Sequence, residues 1–499
     1  MSRRKRTTAT PRLAKIFTTA SIIFLAGCEP QQEANPSDNE PDIEIAVLPE
    51  PIYAPAGLGA QEGEWQAYGA DISSTKYTSL AQIDATNVNE LEIVWRRPAV
   101  DGYYLEMNPN QRYSTTWNAA PVIKNNVAYI TNGLGLVEAY NPGNGETIWV
   151  QEPAGGLEGL PGAPTRGVAY WSDGTDERIL VQRGIYLYAL NAQTGELFPD
   201  FGVNGRVDLQ LMPPEFTRFR WGGAPMVVRD TVLIGQSMSD TFDNKEAYRG
   251  DVHAFDVRTG EILWTYNTIP QEGQFGTDTW QDRSWSYTGH APVWSLFSAD
   301  EELGMVYMPI TSSTNDMYGG HRVGDNLFSQ SIVAVDVETG QRIWHFQTVH
   351  HGLWDYDPPA APILMDITVD GREIKAVTQL TKQAFAFVFD RETGEPVWDI
   401  EERQVPQSTV PGEVTSPTQP FPTKPAAFDR QGATVDNLID FTPEIFAEAL
   451  EIFNSYVTGP MFTPPSVRTE NGTQGTIQLP GSQGGADVQG AAFDPETGY

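Results

Sequence analysis

From Gly63 onward the chain alternates short apolar runs with tight polar turns, and one such unit recurs. Ala139-Tyr140-Asn141-Pro142-Gly143-Asn144-Gly145-Glu146-Thr147-Ile148-Trp149 is the first full copy. Residues 189–198 form the second, with Phe198 where the other copies carry Trp. The third runs from Ala254-Phe255-Asp256 through Gly260 to Trp264, and the fourth from Ala334-Val335-Asp336 through Gly340 to Trp344. A fifth runs from Val388-Phe389-Asp390 through Gly394 to Trp398, and a sixth opens at Ala492-Phe493-Asp494 and reaches Gly498. Each copy reads as a hairpin. An Asp or Asn side chain closes the turn, Gly supplies the positive φ, and the next strand ends in an aromatic ring that can pack on a neighbour. The glycines 145, 195, 260, 340 and 394 are separated by 50, 65, 80 and 54 residues. Such periods suit four-stranded propeller blades with loop insertions, so the predicted class is all-β. Residues 121–131 and 225–234 supply further strands. One helix stands apart, with Thr442 as N-cap, Pro443 at its first position and residues 444–456 following.

Composition agrees with this pattern. Among 499 residues, 46 Gly and 37 Pro with 13 Trp, 19 Tyr and 22 Phe fit many turns and aromatic-packed strands. A net charge of −33 argues against nucleic-acid binding, which needs a cationic face, and implies a self-repelling, soluble surface. The N-terminus reads as an address. Arg3, Arg4, Lys5, Arg6, Arg12 and Lys15 precede an apolar run, residues 16–24, which is too short to span a bilayer comfortably. Leu25-Ala26-Gly27-Cys28 follows and resembles the bacterial lipobox, in which the cysteine is lipidated after cleavage. Cys28 is the single cysteine, so disulfides and a Cys-x-x-Cys-His haem site are excluded within this chain. Residues 1–27 are thus predicted as a signal peptide, 28–60 as an acidic, Pro-rich tether and 61–499 as the propeller.

The candidate chemistry concentrates in His350-His351-Gly352-Leu353-Trp354-Asp355-Tyr356-Asp357-Pro358-Pro359, directly after a strand-like run ending at Phe346. Strand ends and the loops after them are where a strand-rich scaffold places its chemistry. An aspartate beside a tryptophan can be partly desolvated, which raises its proton affinity and suits it to general-base work. A Pro-stopped turn with an acidic cap accounts for the same ten residues without any chemistry.

Taken together the repeats resemble the tryptophan-docking motifs of quinoprotein dehydrogenases. These are eight-bladed propellers that hold pyrroloquinoline quinone (PQQ) on their axis. The likeness covers nearly everything after Gly63. Trp65-Gln66-Ala67-Tyr68-Gly69 looks like the family's opening, and Phe462-Thr463-Pro464-Pro465-Ser466 with Gly484-Gly485 looks like its glucose- and polyol-oxidising branch. The resemblance implies roles residue by residue. Asp355 falls at the catalytic base, and Lys382, in Thr381-Lys382-Gln383, at a lysine near the quinone oxygens. A cation there stabilises charge developing during reduction. Trp294 matches the indole on which the cofactor stacks, and Arg166 an arginine that pairs with a cofactor carboxylate. Asp240 matches an acidic residue at the metal and cofactor site. Asp487 stands where the sugar branch has an Asn near the cofactor, and Ser312 where many relatives have an Asn metal ligand. The implied metal oxygens are therefore Asp240, Asp355, Ser312 and Asp357, for a divalent cation taken as calcium, with magnesium or a lanthanide as alternatives. Asn118 in place of a Glu, and the lack of an adjacent cysteine pair before Arg166, separate the chain from the methanol-oxidising branch.

The family reading implies a PQQ-dependent dehydrogenase of an alcohol, polyol or aldose. In it Asp355 takes the hydroxyl proton and hydride passes to the quinone. With no haem motif in the chain, electrons are expected to leave to a membrane quinone such as ubiquinone or to a separate cytochrome c. Lipid anchoring through Cys28 is expected at the periplasmic side of a bacterial membrane, the outer membrane first. A second reading, of another class, is a non-catalytic propeller lipoprotein acting as an outer-membrane assembly scaffold, which needs none of the polar centre. The sixth copy stops at its turn, so the propeller is also expected to be incomplete at the C-terminus. About two more blades, on the order of 100 or more residues, are then expected beyond Tyr499.

Overall fold

The computed structural model describes residues 58–60, 63–107, 110, 113–114, 118–153, 166–213, 219–220, 223–238, 244–470 and 472–499. Cys28 and Asp240, and with them the expected lipidation site and one expected metal ligand, lie outside the described residues.

Apolar runs separated by Asn-Asn, Asp-Gly and Thr-Gly turns fold into antiparallel meanders. Blade one comprises Val122–Lys124, Val127–Thr131, Val137–Tyr140 and Thr147–Val150. Blade two comprises Ala169–Ser172, Glu177–Arg183, Tyr186–Asn191 and Arg206–Asp208. Met226–Val228, Thr231–Gly235, Val252–Asp256 and Ile262–Tyr266 make blade three. Ser298–Asp300, Met305–Ile310, Ser331–Asp336 and Arg342–Gln347 make blade four. In each, sheet order follows chain order, the meander that propeller blades use. A fifth sheet, Ile363–Val369, Arg372–Leu380 and Ala386–Asp390, has three strands. Its copy of the repeat continues only as an isolated bridge from Phe389 to Pro396, with Val397 N donating to the Val388 carbonyl at 2.9 Å, and Trp398 follows outside any strand.

The core lies between consecutive sheets. Val122, Tyr129 and Trp149 of blade one pack with Ile179, Val181 and Leu190 of blade two. Leu180 and Leu187 of blade two meet Val232 and Phe255 of blade three. Leu233 and Trp264 of blade three meet Val306 and Val333 of blade four, and Tyr307 and Trp344 of blade four meet Val377 and Phe389 of the fifth sheet.

The recurring Trp and Gly prove to be two halves of one contact between neighbouring blades. The indole Nε1 of Trp264 donates to the Val337 carbonyl at 2.8 Å, three residues before Gly340 of the next turn. Trp344 reaches Arg391 O before Gly394 at 3.0 Å, Trp149 reaches Ala192 O before Gly195 at 3.0 Å, and Trp95 reaches Pro142 O before Gly145 at 3.0 Å. A Cβ on Gly340 would stand 2.5 Å from the Trp264 ring, so glycine is required for the approach as well as for its φ of +68°. The ring of Phe198 has no N–H to donate. The Arg178 guanidinium lies 3.9 Å over its ring instead, and the chain runs on through a turn before Arg206–Asp208 completes the blade. Residues 91–95 join no ladder among the described residues. Ile93 and Val94 are 70% and 83% exposed, and Trp95, followed by Arg97 paired with Glu138, ties the segment to blade one.

The helix Pro443–Asn454 forms as its cap signals require, with Thr442 Oγ1 accepting from Ile445 N. It belongs to a long excursion between the fifth sheet and residue 480, which also carries the hairpin Ile400–Gln404 and Thr418–Pro422.

Gly340→Ala should destabilise the chain by about 2–4 kcal/mol, because left-handed strain of about 1–2 kcal/mol adds to a displaced indole. Gly371→Ala has a similar φ of +76° but open space around it, so it should lose only the strain, about 1 kcal/mol. Urea midpoints of the two variants check the difference.

Candidate active site

The topology determines where chemistry can gather. Asn118, Arg166, Trp294, Asp355 and Asp357 all precede the inner strand of a blade or of the fifth sheet, on the N-terminal side. Second strands run antiparallel to the inner ones, so their C-terminal ends reach the same axial end. Ser312 and Lys382 each stand two residues past such an end. Residues up to hundreds of positions apart therefore meet because they occupy equivalent places in successive blades.

Asp355 sits in a backbone turn with φ of +54°, which aspartate tolerates better than most residues. Trp354 and Tyr356 on either side point away from it and are buried. The excursion clamps them. Trp354 Nε1 donates to Thr463 O at 2.9 Å, Tyr356 Oη to Pro480 O at 2.7 Å, and Gln478 Nε2 to the Trp354 carbonyl at 2.6 Å. Phe462 meets both rings edge-on, with centroids 5.2 and 5.8 Å away. The Phe-Thr-Pro-Pro-Ser segment thus braces the loop that carries the expected base.

Lys382 Nζ lies 3.0 Å from Asp355 Oδ1 and 3.0 Å from Asp357 Oδ2, with little exposure of the lysine. Gly484-Gly485 packs against its backbone. Gly485 N donates to the Lys382 carbonyl at 2.9 Å, and a Cβ on Gly484 would stand 2.6 Å from the lysine Cβ. One ammonium can compensate one of the two carboxylates. Burial works to raise the pKa of Asp357, but Lys382 and the two Ser312 donors outweigh it and hold it below the usual range. Asp355 is pushed the other way, up to about 8, by burial first and by the charge of Asp357 second, with Lys382 opposing. Burial would depress Lys382, yet the two carboxylates raise it above the ordinary lysine range. The pair thus divides its labour: Asp357 stays charged, while Asp355 can hold or release a proton near neutrality.

Trp294 is half-buried, and its Nε1 donates to Asp357 Oδ2 at 3.2 Å. The guanidinium of Arg166 stands 5.3 Å over its ring. Burial lowers the Arg166 pKa, with Tyr68 and Asp487 acting in the opposite direction. Its Nε is buried with no hydrogen-bond partner among the described residues. Tyr68, Asn118, Arg166, Val488 and Gln489 line a cavity of about 160 Å³ beside it. A larger cavity of about 790 Å³ takes in Asp173, Asp230, Asp300 and Glu302, at the opposite, C-terminal ends of the inner strands. It lies away from Asp355.

The structure brings Asp355, Asp357, Lys382, Ser312 and Trp294 into one connected group, with Arg166 on the ring of Trp294 and Asp487 close enough to act on that arginine. Sequence reasoning missed the supports. His351 Nε2 meets Glu413 Oε1 at 2.7 Å, with side chains 1% and 2% exposed, and its Nδ1 meets the Gly324 carbonyl at 2.8 Å. Arg322 is buried and binds the carbonyls of Thr314, Asn315 and Gly352, tying the loop after Ser312 to the loop of Asp355. Tyr68 and Gln489 arrive from opposite ends of the chain. His351 and Tyr68 fall in stretches that the sequence marked, but without these partners, and Arg322, Glu413 and Gln489 carry no local motif that could have marked them.

Fold and site together define a β-propeller with a buried polar group where loops of successive blades converge. The family model of the glucose/ethanol/alcohol dehydrogenase PQQ β-propeller domain matches residues 65–499, and the chain belongs to that family. It is 31% identical over 515 residues to the quinoprotein glucose dehydrogenase of Gluconobacter oxydans (strain 621H), covering 97% of this chain and 58% of that protein. It is 28% identical over 500 residues to the glycerol dehydrogenase large subunit of Gluconobacter thailandicus, covering 95% and 65%. The crystal structure of the quinohemoprotein alcohol dehydrogenase from Comamonas testosteroni superposes with a TM-score of 0.57 at 26% identity, covering 73% of this chain and 52% of that one. The chain thus spans about three fifths of the length of the curated relatives it matches.

Glu413→Ala should cost about 3–5 kcal/mol, because His351 and the Gly319 N–H would lose a buried carboxylate. A drop in thermal midpoint with Trp354 becoming accessible to acrylamide quenching checks this.

Proposed function

We propose that this chain carries the cofactor-binding end of a PQQ-dependent dehydrogenase that oxidises an alcohol, polyol or aldose. Its blades are read as members of an eight-bladed ring. The observation that carries the proposal is the junction of three features: a base tuned upward at Asp355, an ammonium 3.0 Å from it, and an indole bridged to that ammonium through Asp357. A scaffold blade has no use for such a group.

The residues fit the cofactor. A planar ring system stacks on the half-buried face of Trp294. The unpartnered Nε of Arg166 meets a carboxylate on its rim, the geometry for which guanidinium is suited. When bound there, PQQ supplies the oxidising power by accepting hydride from the substrate carbon. The protein does the rest. Asp355 accepts the hydroxyl proton as the C–H bond breaks, and burial keeps its proton affinity high enough for that transfer. Lys382 holds positive charge where negative charge grows on the ring oxygens, fixed in place before the reaction starts. Trp354 and Tyr356, clamped by residues 462–480, keep the base from turning away.

The oxygens assigned to a cation fit less well. Asp240 lies outside the described residues, Asp355 Oδ1 already faces Lys382, and the oxygens of Asp357 are taken by protein donors. No step is routed through a metal. Electrons then leave to ubiquinone or cytochrome c, and lipidation of Cys28 holds the protein at the periplasmic face of a membrane.

Asp355→Asn should retain PQQ binding and turn over at less than a tenth of the wild-type rate with a dye acceptor, since a carboxamide cannot take the proton. Wild-type kcat/KM should rise with pH to a midpoint of about 8, because the deprotonated base is the active form. Lys382→Met should move that midpoint upward by removing the cation that opposes the shift. For the anchor, Cys28→Ala should abolish a lipid mass increment and release the protein from the membrane fraction. Wild-type protein found wholly soluble without that increment would refute lipidation.

A further inference from the structure

Asp357 stands two residues beyond the base, and its carboxylate is surrounded by donors. Oδ1 accepts from the Ser312 N–H at 2.7 Å and from Ser312 Oγ at 2.7 Å. Oδ2 accepts from Trp294 Nε1 at 3.2 Å and from Lys382 Nζ at 3.0 Å. The backbone carbonyl of Asp357 takes the Lys382 N–H at 3.0 Å. A carboxylate offers about four acceptor positions, and here four hydrogen donors fill them. The side chain is 7% exposed, so water does not compete for them.

Those donors come from three strand ends. Trp294 enters the inner strand of blade four, Ser312 leaves its second strand, and Lys382 leaves the second strand of the fifth sheet. We infer that Asp357 is a positioning residue, which fixes the indole of Trp294 and the ammonium of Lys382 relative to Asp355, and that it does not ligate a cation. The inference rests on the proposed function for its link to the cofactor. A hard cation needs an oxygen with free lone pairs, so ligation at Asp357 would have to expel a donor. Expelling Lys382 sets an ammonium against a divalent cation. Expelling the indole N–H frees the stacking platform. Expelling Ser312 strands a buried backbone donor. Ser312 also explains its own identity. Its short side chain lets N–H and Oγ converge on one oxygen, whereas the carboxamide of an asparagine begins one atom further out and cannot place a donor there.

The experiment compares the full wild-type chain with Asp357→Asn, Asp357→Ala and Ser312→Ala. PQQ binding is followed by quenching of tryptophan fluorescence over a series of calcium concentrations. In Asp357→Asn the carboxamide keeps one acceptor oxygen and turns an NH2 toward the other pair of donors, so either Trp294 and Lys382 or Ser312 loses its acceptor, and the PQQ dissociation constant should rise at least tenfold at saturating calcium. The calcium concentration giving half-maximal binding should stay within twofold of wild type. Ser312→Ala keeps the backbone donor and should lose about threefold in PQQ affinity. A variant that needs ten times more calcium and regains full PQQ affinity when calcium is raised makes Asp357 a cation ligand and overturns the inference. So does a variant with both constants unchanged. A second readout needs no cofactor. In the PQQ-free protein, Asp357→Ala should accelerate amide hydrogen exchange at Ser312 at least tenfold, while Val127–Thr131 of blade one keeps its protection. An unchanged Ser312 rate overturns the inference by itself. If wild-type fluorescence is not quenched by PQQ, the proposed function fails, and the Ser312 exchange rate alone then decides whether Asp357 positions its neighbours.

Discussion

The contact on which this structure depends is the docking of an indole from one blade onto the turn of the next. It combines a hydrogen bond of 2.8–3.0 Å from the ring N–H to a turn carbonyl with van der Waals contact between ring and glycine. Twisted sheets can pack face to face at a range of angles. A directional bond at the outer edge of each interface narrows that range and makes each blade set the orientation of its successor. The buried Val, Ile and Phe residues between sheets then supply the bulk of the stabilisation, which is not directional. Where the indole is absent, at Phe198, the junction is made by other means: Arg178 covers the ring, and Gly260 packs against Val207 and Phe201.

Regular stacking of blades has a chemical consequence. Inner strands all begin at one end of the axis, and second strands all finish there, so each blade offers two loop positions to a common centre. Asp355, Lys382, Trp294 and Ser312 occupy such positions. Their approach is costly because it collects charge in a buried place. The cost is limited by pairing one ammonium with two carboxylates, and the unbalanced carboxylate is where proton affinity rises. Strong pairing and the raised proton affinity of Asp355 are thus two results of the same arrangement. Around it, the excursion of residues 405–480 and the His351–Glu413 and Arg322 contacts hold the loops rigid, as a site on loop segments needs.

Much of this could be read along the chain. The Asp-x-x-Thr-Gly turns, their aromatic partners and the Thr442-Pro443 helix start depend on residues within a dozen positions of one another, so local physics suffices to place them. Trp354-Asp355-Tyr356-Asp357 was recognisable for the same reason. The fourth strand of the fifth copy is the exception: the aromatic signal at Trp398 is intact, but pairing stops at the bridge between Phe389 and Pro396. What only the tertiary structure decided is which groups share a charge. Asp357 shares its oxygens with Ser312, 45 positions away, and Trp294, 63 away. Glu413 meets His351 from 62 positions away, with the whole fifth sheet between them in the chain. Ionisation and hydrogen bonding respond to distance and burial in space, and these are settled by how blades stack. A sequence therefore names the candidate acids and bases of this site, while the packing of its blades decides which of them stays charged and which takes up the proton.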